Sequence, residues 1–365
     1  MSKYQIPLSY NAIDHDGFYR VLEKYKGQNH QLIIRDFEDK IKSMSGAQHA
    51  VALHSGTAAL HLALKVLGVG KGDKVLVSTF TYVASVSPIL YCGASPVFID
   101  SELETWNMDP ELLEEALTDL DNKGEKAKAI IVVHAYGMPA QLEKILPIAK
   151  KWKVPVIEDA AEAFGATING KWAGTLAEMG IFSFNNNKSV TTFGGGVLVT
   201  GNEDWATHAR KLSTHAREDK PYYVHQELGF NYSMSPLNAA YGLLACNEAP
   251  DLIKNRRVRF EQYRVALKGE VTFQEELPGV ISSRWLTTVR FRTAKVQIVR
   301  QLTDNQHFEI RKVWNPMHLQ PLFKEEKAYL SGHSEALFQS AVCLPSGPVD
   351  AKMFDQMIAW LQSVH

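Results

Sequence analysis

The chain has 365 residues, of which 45% are hydrophobic and 22% charged, with a net charge of −1. That length exceeds what one core usually serves, so two domains are expected. The balanced charge argues against a nucleic acid partner. The three widely spaced cysteines, Cys92, Cys246 and Cys343, make neither a disulfide framework nor a metal-binding spacing.

The opening stretch, MSKYQIPLSYNAID, holds no apolar signal core, and a cytoplasmic location is expected. Residues 36–44 read as an amphipathic helix, with Phe37 and Ile41 four apart. Ser55-Gly56-Thr57 then precedes a helix over 58–67 that ends at Gly68 and Gly70. Small residues at a helix start leave N–H groups open to an anion, and the helix dipole favours phosphate there. Most such triplets only cap a helix. His61, mid-helix, reads as a packed or surface histidine.

Residues 75–99 contain no charged side chain, a run long enough to span a bilayer. Interruptions by Ser, Thr, Gly and Pro make strand, helix, strand the better reading, so no membrane partner is expected. Strands are expected over 74–78, 96–100 and 129–134, with helices over 110–117 and 142–152. His134, at a strand end, either approaches a site or makes a structural hydrogen bond. The alternation of strands and helices implies a largely parallel α/β sheet covered on both faces.

The stretch Val154 to Thr200 organises the rest. An apolar run ends in Glu158-Asp159, and a second, Gly180 to Phe184, ends in three asparagines and Lys188. Gly194-Gly195-Gly196 opens a third. Carboxylates and lysines at the ends of buried strands are where open α/β proteins keep their chemistry. A lone loop lysine is usually just exposed. A Schiff-base lysine would need a partner for a cofactor's pyridinium nitrogen, and an Asp at a strand end supplies one. A helix over 203–213 follows, then a loop rich in Tyr, His and Arg. From about residue 246 the pattern changes to a long basic helix, strand-like segments 271–275 and 285–291, and further helices. This divides the chain into 1–245 and 246–365.

The strings EDAAEAFGA and FSFNNNKSVTTFGGG closely resemble the DegT/StrS family of nucleotide-sugar aminotransferases. The resemblance implies the aspartate-aminotransferase (type I) fold, pyridoxal 5'-phosphate as cofactor, and a homodimer with shared active sites. It makes Lys188 the Schiff-base lysine and catalytic base, and Asp159 the partner of the ring nitrogen. Gly56, Thr57, Ala58 and Ser183 would bind the cofactor phosphate, Tyr82 would lie against the ring, and Glu162 would sit near the ring hydroxyl. Asn231, in GFNYSMS, would reach the phosphate in the neighbouring subunit. Asn186 stands where the family often has Gly, Ser233 where it usually has Arg, and the Gly-rich turn before residue 36 is missing.

VWNPMHLQPLF at 313–323 and CLPSGP at 343–348 look like the branch that makes 4-amino-4,6-dideoxy sugars. Trp314, His318 and Ser346 would then line a sugar pocket, with Arg217, Tyr222, Tyr223 and His225 as further substrate contacts. The expected reaction moves an amino group from glutamate to a nucleotide-linked 4-keto-6-deoxyhexose, with a UDP-linked N-acetylhexosamine favoured by resemblance. GDP- and dTDP-linked keto-sugars aminated at C4 or C3 are alternatives. A related sugar dehydratase has His in place of the lysine, which Lys188 argues against. A non-catalytic nucleotide-sugar binding protein would not need the Asp159 and Lys188 pair.

Overall fold

The structure, a computed structural model, describes residues 5–9, 14–291 and 296–363. Helices α1 (His15–Lys24) and α2 (Gln31–Ser45) lead into β1 (His49–Leu53) and α3 (Gly56–Val66). Then β2 (Lys74–Ser78), α4 (Ser87–Tyr91), β3 (Ser95–Ile99), α5 (Pro110–Asn122), β4 (Ala127–Val133), α6 (Leu142–Trp152) and β5 (Val156–Asp159) alternate. The uncharged run is thus strand, helix, strand, and no helix among the described residues is long and apolar enough to cross a membrane. Helix α5 starts where its sequence says: Asp109 accepts from the N–H groups of Glu111 and Leu112, and Pro110 fills the first turn.

A small hairpin, β6 (Thr167–Ile168) and β7 (Lys171–Trp172), precedes β8 (Met179–Ser183), β9 (Gly196–Thr200) and α7 (Glu203–Ser213). Helix α8 (Pro236–Ala266) runs for 31 residues, so position 246 falls inside it. The remainder is β10 (Val271–Thr272), β11 (Val280–Ile281), β12 (Thr287–Phe291), α9 (Val296–Asp304), β13 (Arg311–Lys312), β14 (Lys327–Tyr329), α10 (His333–Ser340), β15 (Ala341–Leu344) and α11 (Ala351–Ser363).

Among the described residues, eight strands form the main sheet in the order β1-β9-β8-β5-β4-β2-β3-β14. From β8 to β14 every pairing is parallel, and β9 runs antiparallel to both neighbours. The two-residue period of a strand sorts its side chains between the faces. Val51, Leu53, Val75, Val77, Ile131, Ile157, Ile181 and Leu198 face one core with α3, α4 and α7. Their chain neighbours face the other side, where α2 and α8 cover one end and α5 and α6 the other. Because both faces are buried, the strands read as continuous apolar runs. A second sheet, β10-β12-β15-β13, packs Val289, Phe291, Val342 and Leu344 with α9, α11 and Tyr263 of α8. Among these late elements, β14 instead joins the main sheet beside β3.

Candidate active site

The C-terminal ends of β4, β5 and β8 and the start of α3 open onto one cavity of about 850 Å³. Asp159 closes β5 and is 5% exposed. Its Oδ2 accepts from the Ser85 hydroxyl at 2.7 Å and its Oδ1 from the Ala161 N–H at 3.1 Å. Ser85 is itself 2.7 Å from Thr81 Oγ1. The carboxylate is therefore held by two bonds and still borders the cavity.

Lys188 comes from the loop after β8, with its side chain 14% exposed. Its ammonium donates to Glu162 Oε1 at 3.1 Å and lies 4.0 Å from the centroid of the Trp285 ring. Glu162 Oε2 accepts the N–H of Tyr136 at 2.9 Å. Burial pushes the Glu162 carboxyl above its ordinary range, against the opposing pull of Lys188. Tyr136 adopts φ 58°, a left-handed backbone uncommon outside glycine, and Gly137 follows at φ 95°. A Cβ on Gly137 would stand 2.8 Å from the Trp285 backbone nitrogen, so only glycine lets these segments meet.

At the opposite wall, Ser55 caps α3 by accepting the N–H of Ala58 at 3.1 Å. The preceding N–H groups, of Gly56 and Thr57, have no intrahelical acceptor in any α-helix. A Cβ on Gly56 would come 3.2 Å from that of Ser183, and one on Gly196 would strike the Gly56 nitrogen at 2.4 Å. The glycines therefore bring the start of α3 against the ends of β8 and β9. This leaves a cradle of backbone N–H groups and one hydroxyl, the donor set that suits a phosphate. A base-bearing lysine, a buried carboxylate and an anion cradle around one cavity fit a phosphorylated pyridine aldehyde.

The sequence profile of the DegT/DnrJ/EryC1/StrS aminotransferase family matches residues 18–358. The chain belongs to this family. It is 42% identical over 323 residues to the putative pyridoxal phosphate-dependent aminotransferase EpsN of Bacillus subtilis (strain 168), covering 86% of this chain and 83% of that one. It is 37% identical to the GDP-perosamine synthase of Escherichia coli O157:H7, covering 86% and 85%. The putative sugar aminotransferase Spr1654 of Streptococcus pneumoniae, solved in its PMP form, superposes with a TM-score of 0.89 at 25% identity over 99% of this chain and 98% of that one. The protein is a pyridoxal-phosphate-dependent sugar aminotransferase with the type I fold.

Gly56, Thr57, Tyr82, Asp159, Glu162, Ser183, Lys188 and Trp314 all border the cavity. Tyr82 is 59% exposed there, just beyond β2. Ala58 is buried beneath the cap, its N–H already engaged by Ser55. His318 stands outside the cavity lining: it links Thr79 Oγ1 at 2.7 Å to Glu335 at 3.1 Å and braces the 313–323 segment. Ser346 is buried and accepts the Thr287 N–H, a packing role. Arg217, Tyr223 and Asn231 lie on the segment after α7 and are not among the residues that line their own chain's cavity, although Tyr232, beside Asn231, accepts the N–H of His54 in the cavity wall. Tyr223 is 81% exposed with the Arg217 guanidinium 5.5 Å from its ring centroid, and Asn231 is exposed.

His134 is structural. Its Nε2 is 3.0 Å from the fully buried Glu158, and its Nδ1 accepts the Ala140 N–H. His61 packs among Tyr91, Phe230 and Tyr232, and burial drives its pKa down to about 4. The sequence reading missed Ser85, Tyr136 and Trp285. Tyr136-Gly137 at a strand end was a visible turn signal. Nothing local marks Trp285, which reaches Lys188 from 97 residues away.

Proposed function

We propose that the enzyme transfers an amino group from glutamate to C4 of a nucleotide-linked 4-keto-6-deoxyhexose, with a UDP-linked N-acetylhexosamine as the favoured substrate. The observation that carries the chemistry is the placement of Lys188, Glu162 and Asp159 around one cavity opposite the Gly56-Thr57-Ser183 cradle. Pyridoxal phosphate, when bound, supplies an electron sink and holds the amino group between the two half-reactions. Lys188 would hold the cofactor through Nζ and would carry the proton to and from the substrate carbon. Asp159, its carboxylate oriented by Ser85 and Ala161, would supply the negative charge for the ring nitrogen. Gly56, Thr57 and Ser183 would hold the phosphate, and Tyr82 would lie against the ring.

The sugar enters by the side where Trp314, Arg311 and Lys312 border the cavity. Lys312 and Arg311, the latter paired with Glu309, bring positive charge to that rim, which suits an anionic diphosphate. The enzyme works as a homodimer in which Asn231 of each protomer serves the other's phosphate cradle, in keeping with its exposure outside its own cavity. A second reading, a GDP-linked keto-sugar, is favoured by the 37% identity to a protein named GDP-perosamine synthase. The test is a panel of UDP-, GDP- and dTDP-linked keto-sugars with glutamate as donor, products assigned by mass and NMR. Amination of the UDP-linked 4-keto sugar with the highest kcat/KM supports the first reading. A hundredfold preference for the GDP-linked sugar replaces it with the second, and turnover of neither sinks both.

A further inference from the structure

Residues 185–189, which carry the lysine, have no helix or strand of their own. A turn bond from the Lys188 N–H to the Asn185 carbonyl at 3.0 Å joins them locally, and segments remote in sequence meet at one of their atoms. The Asn187 carbonyl belongs to the peptide bond whose nitrogen is that of Lys188. It accepts the Ser9 hydroxyl at 2.8 Å and the Trp285 indole N–H at 2.8 Å. These donors lie 178 and 98 residues away in sequence.

Arg256 of α8 ties the two donors together. One guanidinium nitrogen donates to Ser9 Oγ at 3.0 Å and the other to the Trp285 carbonyl at 2.6 Å. The residue is 4% exposed, so its charge depends on such bonds to offset the cost of burial. The face of the Trp285 ring meets the Lys188 ammonium, and Glu162 takes it from another direction. Tyr136 lies nearly parallel to the indole, at 9° and 6.3 Å, and fixes its plane. The peptide bond before the lysine and the far end of its side chain are thus both held by one tryptophan.

We propose that Trp285 and Ser9, joined through Arg256, are positioning residues that aim Lys188 Nζ at the cofactor aldehyde. This rests on Lys188 being the attachment residue. In the attachment step the neutral amine adds to the aldehyde carbon and a C=N bond forms. The aldehyde oxygen leaves as water, taking both amine protons. That addition needs the nitrogen on line with the carbonyl, and a misplacement of about 1 Å costs on the order of a hundredfold in rate.

The experiment uses the full chain freed of cofactor and then mixed with pyridoxal phosphate. Attachment is followed by the visible absorbance, fixed with borohydride and mapped by peptide mass. Ser9→Ala and Trp285→Phe each remove one bond to the Asn187 carbonyl, and Trp285→Phe keeps an aromatic face. The saturating first-order rate of attachment should fall about tenfold in each, and about a hundredfold in Trp285→Leu, with half-saturation by cofactor changed less than twofold. Because both donors share one acceptor, Ser9→Ala with Trp285→Phe should depart from the product of the single effects. Unchanged saturating rates in the two single variants, with the label on Lys188, overturn the proposal, even if thermal stability falls. A label on another lysine in the wild type overturns instead the assignment of Lys188 on which the proposal rests. Ser9→Ala, a small change at a chain segment beside the cavity, keeps the test open if the tryptophan variants fail to fold.

Discussion

Replacing Asp159 by Asn separates charge from shape at the cavity floor. Among the described residues, the carboxylate bonds to Ser85 Oγ at 2.7 Å and to the Ala161 N–H at 3.1 Å. An asparagine whose oxygen faces Ala161 keeps that bond. Its NH2 then faces Ser85, whose hydroxyl can turn to donate to Thr81, 2.7 Å away. Folding therefore loses little, on the order of one hydrogen bond, about 0.5–1.5 kcal/mol. On the proposed assignment, catalysis loses the negative partner of the ring nitrogen. A pair of unit charges about 4 Å apart at an effective dielectric near 20 is worth about 4 kcal/mol, and about 1.4 kcal/mol corresponds to a tenfold change in rate. The expected fall in kcat is therefore about a thousandfold, within the usual 10²–10⁴ for acid–base groups. Stopped-flow absorbance of the glutamate half-reaction measures it, with thermal unfolding and cofactor titration alongside. An unchanged kcat with only weaker cofactor binding would make Asp159 a tether and refute its electronic role.

Lys188→Ala should bind the cofactor without forming a covalent bond and should lose turnover. Borohydride fixation followed by mass mapping checks the first, and near wild-type turnover would end the assignment. Lys188→Met in cofactor-free protein removes the group that opposes burial at Glu162, so the carboxyl, already raised, should rise further. A carboxyl with a raised folded pKa contributes stability below its unfolded value that is lost as pH rises through the folded value. The variant's stability deficit should therefore grow with pH, read by unfolding temperatures and by isotope-edited infrared of the protonated carboxyl. His134→Ala leaves Glu158 its bonds from the N–H groups of Gly174, Leu176 and Ala177, so folding should weaken by about 2–4 kcal/mol while kcat per folded site stays within twofold; a hundredfold fall in kcat would place His134 in the chemistry. For shared sites, Lys188→Ala and Asn231→Asp are mixed and reassembled: one site of a mixed dimer takes both defects and the other neither. Recovery of up to about one native site per mixed dimer is expected, and none, with mixed dimers proved by a tag, would show that Asn231 does not serve the partner.

Local sequence signals were enough to find many of the strands and helices and the polar residues at their ends. Apolar runs of strand length ended at Asp159 and just before Lys188, and the small residues 55–57 marked a helix start, because strand period, caps and turn residues act over a few positions. Helix α7 emerged at residues 203–213 and α6 at 142–152 for the same reason. Packing between distant elements set what no local pattern encodes. It turned β9 antiparallel, sent β14 from the late part of the chain to the edge of the main sheet, and made His134 and His318 braces within the fold. It also brought Ser9 and Trp285 to the peptide bond before Lys188, with Arg256 joining the two. The bonds among these residues span 29 to 247 residues of chain, and at such separations a side chain's partner is set by how the sheets and helices pack together, not by its neighbours in sequence.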